Sequence, residues 1–156
     1  MGKFMDPWGT HLPVLASVVA RTKGPVVELG AGNYSTPLLH LLCKGRRLLT
    51  AESNAEWMAK FEKLASPDHE FLRVKSWDDC PGVFDVPWSV AFVDHAPGSR
   101  RDKDLTRLAT KATHIVLHDA QRHDYAEAIA TFKHKVLWTW NRPHTIVLSQ
   151  SVPFEL

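Results

Sequence analysis

The sequence predicts an α/β domain built on a doubly wound, mainly parallel sheet. Short β-type apolar runs alternate with helical stretches along the chain. The run Trp88-Ser89-Val90-Ala91-Phe92-Val93 is apolar almost throughout, as expected of a strand covered on both faces. Acids, histidines and glycines gather after the strands rather than before them.

The first periodic segment has Val14, Leu15, Val18 and Val19 at helical spacing, an amphipathic helix that packs on the domain. Val26-Val27-Glu28-Leu29 is a short strand closed by Gly30-Ala31-Gly32. Ser35 or Thr36 then caps a helix through Leu38, Leu39, Leu41 and Leu42, with Pro37 tolerated in its first turn and Gly45 ending it. Residues 46–52 form a second strand. Asn54 caps a helix that places Trp57, Met58, Phe61 and Leu64 on one face before Ser66-Pro67 stops it. Residues 70–75 form the third strand and 88–93 the fourth. Gly98-Ser99 opens a charged helix carrying Leu105, Leu108 and Ala109. Residues 114–117 are the fifth strand, 125–134 a helix, and 136–140 and 145–149 a final strand pair around Asn141-Arg142-Pro143. That connection is too short for a crossover helix, so the last two strands pair antiparallel. Trp138 and Trp140, two apart, share a strand face and are expected in the core.

Composition narrows the function. The chain has 156 residues, with hydrophobic residues at 44%, 19 basic and 17 acidic side chains, and a formal net charge of +2. That is one domain with a full core, and the charge is too small to argue for nucleic acid. No apolar run approaches the roughly 18 residues of a membrane span. Cys43 and Cys80 make neither a disulfide framework nor a zinc pattern, which fits a reducing cytoplasm. The apolar run 12–20 fails as a signal core because Asp6 precedes it, and Gly2 fails as a myristoylation site because residue 6 is Asp rather than Ser or Thr.

In an open sheet of this kind, ligands bind outside the carboxyl ends of the strands. The loop Gly30-Ala31-Gly32-Asn33-Tyr34-Ser35 resembles a dinucleotide fingerprint with Ser at the third glycine, and Glu52 stands 20 residues after Gly32 to accept from ribose hydroxyls. Glu28, two residues before the first glycine, opposes a pyrophosphate at that helix N-terminus. It suits a ligand with an ammonium and a sulfonium, whose carboxylate meets the backbone amides. That description is S-adenosylmethionine.

At these residues the chain resembles the class I S-adenosylmethionine-dependent methyltransferases, over nearly its whole length. The first motif is Val26-Val27-Glu28-Leu29-Gly30-Ala31-Gly32, and the acid ending the second strand is Glu52. Phe92-Val93-Asp94-His95 and Ile115-Val116-Leu117-His118-Asp119 look like the branch with Asp-His after strand 4 and Leu-His-Asp at strand 5. The resemblance implies a Rossmann-like sheet of seven strands in the order 3-2-1-4-5-7-6, with strand 7 antiparallel. It implies that Glu28, Gly30 and Gly32 hold the methionine part, that Glu52 holds the ribose, and that Tyr34, Ser35 and Ser53 also belong to the cofactor site. Trp77 and Asp78 would flank the adenine, and Asp94 would border the cofactor. Asp94, His95 and Asp119 are the implied catalytic residues, with His95 suited by its ordinary pKa to take a hydroxyl proton.

Base-methylating branches carry an aromatic after the fourth strand. Asp94-His95-Ala96-Pro97 has none, which points away from nucleic-acid bases and toward an oxygen acceptor. A divalent metal is not favoured, although Asp94, His118 and Asp119 are candidate ligands, with His95, His123 and Asp124 nearby. Arg100, Arg101, Lys103 and Arg107, sharing a helix with Asp102 and Asp104, suggest a solvated face. Two rivals remain: an NAD(P)-dependent oxidoreductase on the same fold, and a non-catalytic nucleoside-binding or interaction module. Residues 1–156 are expected to form one domain, with 1–22 as a helical cap on the core 23–156. With so little sequence for inserted caps, the acceptor site should be open, or completed by a second copy of the chain.

Overall fold

The apolar runs assemble into a seven-stranded sheet in the computed structural model, which describes residues 6–156. The strands are β1 (Val26–Leu29), β2 (Leu48–Glu52), β3 (His69–Arg73), β4 (Trp88–Val93), β5 (Ala112–His118), β6 (His134–Trp138) and β7 (Thr145–Ser149). Their order is β3-β2-β1-β4-β5-β7-β6. β1 to β5 pair in parallel, and β7 runs antiparallel between β5 and β6. The order reverses between β2-β1 and β4, which opens the crevice where open α/β sheets take ligands. Order and direction match the sequence expectation. Gly2 lies outside the described residues.

Both faces of the sheet are covered, which is why its central strands are apolar without alternation. On one face, Val14, Leu15, Val18 and Val19 of α1 (Leu12–Ala20) and Leu39 of α2 (Ser35–Leu42) pack on Val26, Leu48, Val90, Phe92 and Val116. On the other, Leu105 and Leu108 of α4 (Arg101–Leu108), with Tyr125, pack on Val27, Leu29, Ala91, Val93, Ile115 and Leu117. Each fully buried Leu or Ile here stabilises the fold by about 1.5–3 kcal/mol. Gly24 to Gly32 and Ala91 to His95 thereby hang from one rigid sheet.

Three local expectations differ. The helix after Asn54 is the single turn α3 (Ala55–Met58), followed by a 3-10 turn at Glu62–Leu64. Trp57 turns its indole N–H to the Ala31 carbonyl at 2.5 Å, and the chain tightens to bonds from Lys60 to Trp57 and from Phe61 to Met58. Those bonds span three residues rather than four, yet Phe61 is still buried. The last helix is also short, α5 (Ala126–Ala130) after a 3-10 turn at His123–Tyr125, and β6 begins at His134. Trp138 and Trp140 stack with ring centroids 5.4 Å apart, but Trp140 is 83% exposed, because β6 is the sheet edge and ends at Trp138. No helix among the described residues is long and apolar enough to cross a membrane.

Candidate functional site

The loop after β1 is fixed by two carboxylates. Gly30 has φ +92°, and a Cβ there would meet the His95 backbone at 2.7 Å, so this position takes no side chain. Glu28 is fully buried beneath the loop, and its Oε2 accepts from the hydroxyls of Thr36 at 2.9 Å and Thr50 at 2.7 Å. Its Oε1 has no partner among the described residues. Burial pushes the Glu28 carboxyl up to about 7, against the opposing pull of the Ser35, Thr50 and Thr36 hydroxyls. Glu52 ends β2 with Oε2 accepting from Ala31 N–H at 2.9 Å and Oε1 from Asn54 N–H at 2.6 Å. A carboxylate has about four lone-pair sites, so about two remain for a ligand.

The ends of β4 and β5 form a second group. Asp94 Oδ1 lies 3.0 Å from Arg101 Nη2 and 3.3 Å from His118 Nδ1. Burial works to raise the Asp94 carboxyl, but the His118 hydrogen bond and the charges of His118 and Arg101 outweigh it and hold it below its ordinary value. Asp119, in left-handed backbone at φ 59°, turns its Oδ2 to Arg101 Nη1 at 3.0 Å. Arg101 also donates to the carbonyls of His95 at 2.8 Å and Asp94 at 2.9 Å, tying both strand ends together. His11, from the turn before α1, packs edge-on to His118 with ring centroids 4.8 Å apart. Burial, then the neighbouring His118, pushes the His11 imidazole down to about 4.

Solved structures with the same arrangement decide the fold. An O-methyltransferase, TomG from Streptomyces achromogenes, involved in tomaymycin synthesis and crystallised with SAM, superimposes with a TM-score of 0.64 at 17% identity, covering 88% of this chain and 79% of its own. Precorrin-6y C5,15-methyltransferase from Geobacter metallireducens gives 0.63 at 14% identity, covering 94% and 93%. A putative O-methyltransferase from Klebsiella pneumoniae gives 0.65 at 16%, covering 88% and 79%. This chain has the methyltransferase fold. No protein-family model and no curated protein matches the sequence.

On this methyltransferase fold, the structure brings Glu28, Gly30, Gly32, Ser35 and Glu52 to one loop, with Ser53 beside Glu52 and Asp94 across the crevice, its backbone N–H bonded to Leu29. Tyr34 is 36% exposed and donates its hydroxyl to Asp6 at 3.0 Å. Trp77 is buried at 5% exposure, its ring tilted 49° against His95 with centroids 4.3 Å apart, and its indole N–H on the Ala96 carbonyl at 3.1 Å. It braces the loop after β4. Asp78 is exposed and paired with Arg100 and Lys103.

His95 is not open to an acceptor. Its ring is 0% exposed, and Nε2 lies 2.8 Å from Asp104 Oδ2. Burial lowers its basicity more than Asp104 raises it. Asp94 beside it is more open, with its side chain 24% exposed. The charged helix is likewise only half solvated. Arg101 and Asp104 are buried with Leu105 and Leu108, and these four residues follow the i, i+3, i+4, i+7 spacing of an inward stripe. That spacing was the available signal for Arg101. His11 had none, since nothing local marks a histidine before a helix as belonging to a site.

Proposed function

We propose that the protein transfers a methyl group from S-adenosylmethionine to an acceptor oxygen. The observation that carries the reading is the pair of carboxylates, Glu28 and Glu52, flanking a glycine loop at the carboxyl edge of β1 and β2. The unpartnered Oε1 of Glu28 fits a cationic group better than a phosphate, and the remaining lone pairs of Glu52 fit ribose hydroxyls. The printed names of two fold neighbours, an O-methyltransferase and a putative O-methyltransferase, support oxygen as acceptor.

Bound there, the cofactor would supply a methyl carbon activated by its sulfonium, with the sulfur as leaving group. The chain's own work is positioning and proton removal. Gly30 lets the loop close against the β4 end, Arg101 fixes the Asp94 and His95 carbonyls, and Asp94, backed by His118, takes the proton that the acceptor hydroxyl loses as its oxygen bonds to carbon. His95, held by Asp104, positions the loop from behind. The test is release of S-adenosylhomocysteine on a panel of alcohols, phenols and amines. Turnover with hydroxyl acceptors that falls sharply in Asp94→Asn supports the reading. Turnover only with amines, or unchanged in Asp94→Asn, refutes it.

A further inference from the structure

Glu28 is sealed from water, yet a row of hydrogen bonds leads from it to the surface. Thr50 Oγ1 lies 2.7 Å from Glu28 Oε2 and 2.9 Å from His69 Nε2, and His69 Nδ1 lies 3.1 Å from His40 Nδ1. Thr50 and His69 are buried, whereas His40 is partly exposed. Both histidines line a cavity of about 320 Å³. It sits beside Leu48 and His69, the first residues of β2 and β3, at the opposite end of β2 from Glu52.

Counting protons fixes the direction of the row. Burial, then the charge of His40, pushes the His69 imidazole down to about 4, so at neutral pH its ring holds one N–H. A charged Glu28 only accepts, so Thr50 donates to it. The Thr50 oxygen then accepts from His69 Nε2–H, and His69 Nδ1, left bare, accepts from His40 Nδ1–H. With a proton on Glu28 Oε2 the row runs the other way: Glu28 donates to Thr50, Thr50 to His69 Nε2, and His69 Nδ1–H to His40 Nδ1.

We propose that His40, His69 and Thr50 are a proton path between the cavity and Glu28, and that a cationic ligand at Glu28 drives the carboxyl proton out along it. The ligand-driven half rests on the function proposed above; the path does not. A proton taken up at His40 Nε2 sends the His40 Nδ1 proton to His69 Nδ1, the His69 Nε2 proton to Thr50 Oγ1, and the Thr50 proton to Glu28 Oε2. Each transfer makes one N–H or O–H bond as it breaks another, and the net gain is one proton on Glu28. Ejection is the reverse. No side chain has to turn, because every proton moves along a hydrogen bond already in place.

The other groups facing Glu28 offer no rival exit. From α2 these are the Ser35 and Thr36 hydroxyls and the Cys43 thiol, and from β4 the Asp94 carboxylate. Thr36 Oγ1 donates to Glu28 and accepts from Gly32 N–H at 2.9 Å, so that branch ends at a backbone amide. Burial pushes the Cys43 thiol up to about 11 and keeps it neutral. The charge of Asp94 helps hold the proton on Glu28, and a ligand cation opposes it. With the Glu28 carboxyl near 7, both directions of the row are populated at neutral pH. At the outer end the histidines are faced by Cys43, Lys44 and Asp68.

The test is NMR of the full ligand-free chain, ¹⁵N-labelled at histidine and ¹³C-labelled at the glutamate carboxyls, from about pH 5.5 to 9. At the alkaline end His69 should carry its proton on Nε2 and His40 on Nδ1. As Glu28 protonates, the His69 proton should move to Nδ1 with the same midpoint as the Glu28 carboxyl. In Thr50→Val, which keeps the shape and removes the hydroxyl, Glu28 should still titrate while the His69 tautomer no longer follows. S-adenosylhomocysteine added at pH 7 should return His69 fully to the Nε2–H form. If that ligand does not bind, the proposed function fails, and the pH series still decides the path. A wild-type His69 tautomer that stays fixed while Glu28 titrates overturns the path, and needs no variant to fold. So does a tautomer change that survives in Thr50→Val. Bound S-adenosylhomocysteine that leaves His69 unchanged overturns the ligand-driven half.

Discussion

Removing the Asp104 carboxylate tests how the loop carrying Asp94 and His95 is held. Asp104 is 0% exposed and accepts from His95 Nε2 at 2.8 Å, Arg100 Nε at 2.8 Å and Nη2 at 3.2 Å, and Arg107 Nη1 at 3.0 Å. In Asp104→Ala, Arg100 and Arg107, with side chains 19% and 27% exposed, can turn to water. His95 cannot: its ring is sealed and its Nδ1 already lacks a partner among the described residues. Stranding it costs about 1–3 kcal/mol. With the lost charge-assisted bonds, the total is about 3 kcal/mol, the low end for breaking a buried pair. That corresponds to a Tm lower by about 6–12 °C for a domain of this size. Asp104→Asn, which keeps an acceptor for His95, should lose about half as much.

The acid limb adds a second readout. Burial acts to raise the Asp104 carboxyl, but bonds from His95 and Arg100 hold it below 3.8. Its stabilisation is therefore full above that value and is lost as pH falls through the lower folded one. Urea unfolding followed by circular dichroism from pH 2 to 7 should show a shallower acid limb in both variants. A loss under about 1 kcal/mol in Asp104→Ala, with an unchanged acid limb, refutes the reasoning.

Three further outcomes follow. Burial raises the Glu28 carboxyl from 4.5 to about 7, so the protonated form favours folding; that contribution is full below about pH 4.5 and is lost as pH rises through about 7. The ligand-free protein should lose on the order of 3 kcal/mol across that window, and Glu28→Gln should flatten the curve in urea unfolding. Gly30→Ala forces a Cβ to 2.7 Å from the His95 backbone at φ +92°, and should cost about 2 kcal/mol or more and lower cofactor affinity, read by thermal unfolding and calorimetry. Glu52→Ala removes the acceptor of two backbone N–H groups as well as the ribose contact, so it should weaken S-adenosylhomocysteine at least about tenfold; unchanged affinity would exclude the ribose role.

The doubly wound class and the antiparallel last pair were legible from local facts, namely apolar runs without alternation and a connection before β7 too short for a crossover. The seven-strand order came from the resemblance to the methyltransferases. That Glu28, Gly30, Gly32 and Glu52 meet at one crevice was legible too, since all lie at or beside strand ends whose position along the chain sets their place in space. His95 was misjudged because sequence places a residue at an edge but does not aim its side chain. Asp104, nine residues later on α4, turns that ring inward. Arg101 and Asp104 read as solvated because charge masked an inward helical stripe. His11 meets Asp94 and His118 across more than 80 residues of chain, a juxtaposition only the folded sheet creates.

On the proposed function, the crevice beside Gly30–Gly32 takes a nucleoside carrying a cationic amino acid rather than a dinucleotide. Titration calorimetry of the full chain with S-adenosylhomocysteine and, separately, with NAD tests it most directly. One S-adenosylhomocysteine should bind per chain, more weakly in Glu52→Ala, with no heat from NAD. Binding of NAD alone, or of neither ligand, would contradict it.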